Sequence, residues 1–135
     1  SAVRDTAKAL SRFLERFPDA ENAEEARAIL ADVRGRLMAH ERYVADFYKR
    51  EGKLRGYVGR LEHIREAFAD VGLDADLLVE IVDAYVALGD PEGARDALAE
   101  LEEKFPEDPR VAAAERSVAK LTEVAQAEAA VSQAP

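Results

Sequence analysis

NAEEARAILADVRGRLMAHERYVADFYKREG, residues 22–52, decides the fold. It holds no proline and one internal glycine, Gly35. Ala26, Leu30, Val33, Leu37, His40, Val44 and Phe47 recur in steps of four and three. That spacing places them on one face of a 3.6-residue helix. Asn22 with Glu25 three residues on has the pattern of a capping box. Gly52 can take the left-handed conformation just past a helix end. One continuous helix over residues 23–51 is therefore predicted. Globular helices mostly run about 8–20 residues, so a helix this long needs more than one neighbour to cover it.

The flanking segments supply that cover. Upstream, Ala7, Leu10, Phe13, Leu14 and Phe17 share one side of a helix over residues 4–17, and Pro18 ends it, because a residue before proline avoids the helical region. Downstream, Leu54, Tyr57, Val58, Leu61, Ile64, Ala67 and Phe68 form a second amphipathic run, which stops near Val71 and Gly72. Asp74 or Asp76 then caps a helix over residues 77–88, with Leu78, Ile81, Val82, Tyr85 and Leu88 on one face. In Gly89-Asp90-Pro91 the glycine ends one helix, the aspartate caps the next, and the proline sits where its missing N–H costs nothing. Ala94, Leu98 and Leu101 line that next helix up to Phe105. Asp108-Pro109 repeats the cap-plus-proline device ahead of a last helix, residues 109–130, with Val111, Ala114, Val118, Leu121, Ala125 and Ala129 in register. Its alanine-rich end is expected to fray past about Ala129. The reading is all-α, about six helices with short connections, consecutive ones packing antiparallel.

Composition agrees and narrows the function. The 135 residues fit one domain. Hydrophobic residues make up 48% but aromatics only 7%, which favours close helix packing over a sheet core. A formal charge of −9 opposes phosphate-backbone binding and gives no general attraction to anionic lipid. Local basic clusters, Arg34–Arg36 and Lys49–Lys53–Arg55, read as helix-end charge. The absence of cysteine removes thiol catalysis, Cys-based metal sites and disulfides within these residues. No run approaches the roughly 18 apolar residues of a membrane span. The start at Ser1, close to a helix, suggests a domain cut from a longer protein.

A repeat is visible. Tyr85, Gly89, Ala94, Leu98 and Pro106 have the spacing of the tetratricopeptide repeat (TPR). Sliding back 37 residues gives Tyr48, Gly52, Tyr57, Leu61 and Ala69, with Gly56 available as the close-contact point. A partial copy occupies residues 1–18. The repeats then fall at about 38–71 and 75–108, and the long helix joins two of them without a turn. Such arrays bury a continuous core and present a surface for partners, which points to a protein-binding scaffold.

The segment RGRLMAHERYVADFYKREGKLRGYVGRLEHIREAF, Arg34 to Phe68, resembles the BamD (ComL) family of outer-membrane assembly lipoproteins. Arg36, Leu37, Ala39, His40, Glu41, Tyr43, Val44, Ala45, Phe47, Tyr48, Gly52, Arg60, Leu61 and Glu62 carry the likeness, with RFLERFPDAENAEEAR, Arg12 to Arg27, upstream. Ala69 departs from the family's proline, and the Val71–Asp74 connection is longer. The resemblance implies a non-enzymatic role at the periplasmic face of the bacterial outer membrane, with a lipid anchor ahead of these residues. It also implies binding to the POTRA domains of the barrel-assembly protein BamA and to other components of that machinery. Another TPR adaptor, or a co-chaperone scaffold of the cell envelope or cytoplasm, is the alternative.

Arg60 and Glu62, flanking inward-facing Leu61, are the first candidates for partner contact, since a guanidinium pairs bidentately with carboxylates. Tyr43, Tyr48 and Tyr57 around the Gly52 turn are the second, tyrosine being a common interface anchor. His40 is expected on the buried stripe and His63 on a different helix. No metal-ligand spacing, phosphate loop or nucleophile motif links them to any chemistry, and no cofactor is expected.

Overall fold

A computed structural model describes all 135 residues and consists of seven helices without strands. They are α1 (Ala2–Arg16), α2 (Ala23–Arg50), α3 (Leu54–Ala67), α4 (Ala69–Gly72), α5 (Ala75–Leu88), α6 (Pro91–Lys104) and α7 (Val111–Ser132). Consecutive long helices pack on one another, and α3 packs across to α5. The central core lies among α3, α5 and α6, where Leu61, Leu78, Ile81, Val82 and Leu101 are fully buried.

The long helix is continuous over 28 residues. It stops as expected: Gly52 has φ +71°, and the Lys53 N–H donates to the Tyr48 carbonyl at 2.9 Å. Its start differs. Asn22 makes no side-chain capping bond, because its φ −98° and ψ 14° are already turned rather than extended. The Ala23 N–H is instead satisfied by the Ala20 carbonyl at 3.0 Å, and Glu24 and Glu25 face the positive end of the helix dipole.

The buried stripe also differs. Ala23 and Ala26 are buried, but in the second half it is Glu41 and Ala45 that face inward. His40 is exposed, and so is Phe47. Steps of four and three average 3.5 residues, and a straight helix drifts from such a pattern by about 20° per heptad. Three heptads separate Ala26 from Phe47, so the drift reaches about 60°. It brings Tyr48 under α3 and turns Phe47 outward.

α3 buries Tyr57, Val58, Leu61 and Ile64, and Phe68 follows at its C-terminus. Ala67, expected inside, is exposed. One extra turn of helix, α4, runs from Ala69 into the Val71–Asp74 connection. Arg34 clamps it: Nε donates to Asp70 Oδ2 at 2.6 Å and Nη2 to Asp70 Oδ1 at 2.7 Å, while the guanidinium lies 5.1 Å over the Phe68 ring. Asp74 caps α5 by accepting from the Leu77 N–H at 2.8 Å. Gly89 has φ +79°, and Asp90 accepts from the Gly93 N–H at 3.0 Å. Asp108 does not cap α7. It accepts from the Arg110 N–H two residues on, at 2.9 Å, and holds the Arg110 guanidinium. This is an Asx turn, and Arg110 occupies the cap position. α7 remains helical to Ser132, with Val124 and Val131 exposed.

The 37-residue spacing has a packing counterpart. A Cβ added at Gly56 would lie 3.0 Å from the Tyr48 ring, and one added at Gly93 would lie 2.3 Å from the Tyr85 ring. In both places a tyrosine of one helix lies flat on a glycine of the next.

Candidate protein-binding surface

Helix α2, α3 and the turn at Gly52 position all five candidate residues, and the fold gives them different settings. Tyr57 is buried, and its hydroxyl donates to Glu80 of α5. Arg42 of α2 pairs with the same carboxylate, so one acid ties three helices together. Burial, reinforced by Glu80, raises the Tyr57 hydroxyl above its ordinary range. Tyr48 is half-buried against Gly56.

Glu62 accepts from the Tyr85 hydroxyl at 3.0 Å and from Arg65 Nη1 at 3.1 Å. Arg65 extends the network to α6 through Glu100 at 2.7 Å and Asp96 at 3.1 Å. The Tyr85 hydroxyl is pushed up to about 12, by burial and then by its bond to Glu62. Arg60 donates from Nη1 to Glu41 at 2.7 Å across the α2–α3 seam. Glu41 is the one buried charged residue of the chain. Arg60 keeps 39% of its side chain exposed, so it reaches solvent while anchored.

Tyr43 points outward and is 66% exposed. Phe47, one turn along, is 44% exposed. Arg36, His40, Tyr43, Phe47 and Arg50, at helical spacing, form a single outward stripe of α2, all of them exposed. Lys53 and Arg55 extend its basic end past the turn. Sequence reasoning missed Phe47 and His40 here, because both fit the expected buried stripe. The signal that finds them is the drift of a strict heptad pattern on a 3.6-residue helix. Exposed aromatics with a charged rim are what an interface core and rim look like before the partner arrives.

No helix is long and apolar enough to cross a membrane. The model of the YfiO family, described as "Outer membrane lipoprotein", matches residues 1–101, from α1 well into α6. An outer membrane protein assembly factor BamD from Neisseria meningitidis is 28% identical over 108 residues, which cover 80% of this chain and 40% of the relative. A protein of the same name from Caulobacter vibrioides is 27% identical over 108 residues, covering 80% of this chain and 35% of the relative. The chain therefore spans two fifths or less of the curated relatives it matches. With three quarters of its length under one family model, and the all-α repeat architecture that family resemblance implied, this chain belongs to the YfiO family of outer membrane lipoproteins.

Proposed function

We propose that the chain is a non-enzymatic scaffold of the outer-membrane β-barrel assembly machinery, and that it docks on periplasmic POTRA domains of the BamA-like barrel-assembly protein. The full-length protein then sits at the periplasmic face of the outer membrane, held by a lipid outside these residues. The observation that carries the reading is the outward stripe of α2. Tyr43 and Phe47 are large apolar side chains left uncovered while much smaller residues are buried. Arg36, His40 and Arg50 lie on the same stripe, with Lys53 and Arg55 past the turn, in a chain whose overall charge is −9, so the surface fits a partner presenting carboxylates beside an apolar spot. Tyr43 and Phe47 are the proposed anchors, and Arg60 offers a held guanidinium at the neighbouring seam. Tyr48, Tyr57 and Glu62 act from behind, by fixing α3 and α5 against α2.

The test is calorimetric titration of this chain with the POTRA domains of the same organism's BamA. Saturable one-to-one binding that weakens with salt is expected. No detectable heat from a chain shown to be helical and cooperatively folded would remove the proposal.

A further inference from the structure

The two histidines of the chain, His40 on α2 and His63 on α3, line one pocket of about 390 Å³ together with Arg4 of α1 and Arg60 of α3. Leu37 and Phe68 contribute its apolar wall. The four donors come from three helices, with Arg60 and His63 sharing α3. His63 is oriented by the Phe68 ring, edge-on at 5.8 Å between centroids. Arg60 is pinned from behind by the buried carboxylate of Glu41, to which Nη1 donates. Arg4, His40 and His63 are all exposed, and their side chains have no hydrogen-bond or ion-pair partner in the fold.

Charge is segregated in the same direction. Between Arg34 and Arg60 the chain has eight Lys or Arg against three Asp or Glu, although its overall charge is −9. The pocket's single acid, Glu41, is already paired. No three His, Asp, Glu or Cys groups converge to hold a metal ion, so the donors face each other without a cation to bind.

From this geometry we infer that the pocket between α1, α2 and α3 binds one phosphate group. Two guanidiniums and two imidazoles from three helices present more N–H groups than the roughly four acceptor sites of a carboxylate, whereas a phosphate monoester offers three terminal oxygens. Arginine supplies the forked donors that match such oxygens. Glu41 acts as a positioning residue: it fixes Arg60 before the ligand arrives, which lowers the ordering cost of binding. The phosphate comes either free in solution or on a lipid headgroup, and the chemistry is shared. This inference needs no protein partner, and it shares only His40 and Arg60 with the docking surface proposed above.

The test is a proton NMR titration of this chain with inorganic phosphate at constant ionic strength, reading the ring C–H signals of His40 and His63. Saturable shifts of both are expected, absent when chloride or acetate replaces phosphate. R4A and R60A should each weaken binding about tenfold or more, as loss of a charge-assisted hydrogen bond does. Both variants are checked for unchanged helix content, and R4A, on an exposed face, carries no structural burden. Vesicles containing phosphatidic acid, whose headgroup is a phosphate monoester, separate the sources: capture that inorganic phosphate competes away assigns a headgroup, and phosphate saturation without capture assigns a free ligand. Acetate acting as well as phosphate, shifts that never saturate, or R4A and R60A binding like the parent would each overturn the inference.

Discussion

Glu41 of α2 accepts from Arg60 of α3 at 2.7 Å, and the pair is asymmetric: the acid's side chain is 7% exposed and the arginine's 39%. Removing the two partners should therefore have unequal effects. Arg60→Ala leaves a buried carboxylate without its charged donor, and an unsatisfied buried group of this kind costs about 1–3 kcal/mol or more. Glu41→Leu removes the buried charge and leaves Arg60 free to reach water, so it should cost less, since an apolar replacement at such a site is often tolerated. Urea unfolding of the two variants and the double variant checks this. The double variant should resemble Glu41→Leu alone, and a double variant as unstable as the sum of the singles would contradict the account.

Three glycines separate two kinds of requirement. Gly52 and Gly89 have φ of +71° and +79°, and an added Cβ would meet nothing within 4 Å at either. The need for glycine there is in the backbone alone, and Gly52→Ala or Gly89→Ala should cost about 1 kcal/mol, with Gly52→Val worse because a β-branched residue is poorly accommodated at positive φ. Gly35 lies in mid-helix with equally open space. Gly35→Ala should stabilise by up to about 1 kcal/mol. Thermal unfolding should move in opposite directions for Gly35→Ala and Gly52→Ala.

The tyrosine-on-glycine contacts predict a graded pair. At Gly93 a methyl group would fall 2.3 Å from Cε1 of Tyr85, whose hydroxyl is held by Glu62. At Gly56 it would fall 3.0 Å from Cγ of Tyr48. Overpacking costs typically about 1–3 kcal/mol. Gly93→Ala should sit at the upper end and Gly56→Ala at the lower, measured by urea midpoint. Tyr85→Leu should relieve part of the Gly93→Ala loss if the ring is the obstacle.

The helices, their order and most of the turns were legible because each rests on local chemistry. Gly52 and Gly89 ended helices where a positive φ was needed, and Asp74 and Asp90 capped where extended backbone left their side chains free. Asn22 and Asp108 carry the same residue signature, but their backbones had already turned or were engaged two residues on. The facing of α2 was only half legible. Periodicity gives one stripe, while α1 and α3 cover different halves of a helix whose pattern drifts. The convergence of His40 and His63 was invisible for another reason: it depends on how three helices cross, and nothing in the spacing of either residue carries that information.

Acid should act through the paired carboxylates. Lys104, and then Arg65, hold Glu100 below the ordinary range, and Arg34 does the same to Asp70. Arg110 lowers Asp108 to about 2. A carboxyl whose folded value is depressed contributes stability that is fully present above its unfolded value, near 4, and lost as pH falls through the folded one. Stability should therefore be level from neutral pH to about 5 and decline from about 4 towards 2. Asp83 has the opposite sign. Burial, and then Glu80, raise its carboxyl, so its ionisation opposes folding. Asp83→Asn should raise the urea midpoint at pH 7 and lose that advantage at pH 3.

Tyr43 and Phe47 should behave as surface residues in folding and as anchors in binding. They are 66% and 44% exposed on α2, so Tyr43→Ser and Phe47→Ser should leave the urea midpoint nearly unchanged, within about 0.5 kcal/mol for substitutions away from the core. Against the POTRA domains each should weaken binding by about 1–2 kcal/mol, the range of a moderate anchor. Tyr57→Phe reverses the pattern. It removes the hydroxyl that donates to Glu80 and leaves that acid to Arg42 alone, so it should lower stability by about 1 kcal/mol while touching no partner. Calorimetry and urea unfolding on the same three proteins separate the roles. If Tyr57→Phe weakened binding more than Phe47→Ser at equal helix content, the contact would lie on the α5 side of the molecule and not on the outward stripe of α2.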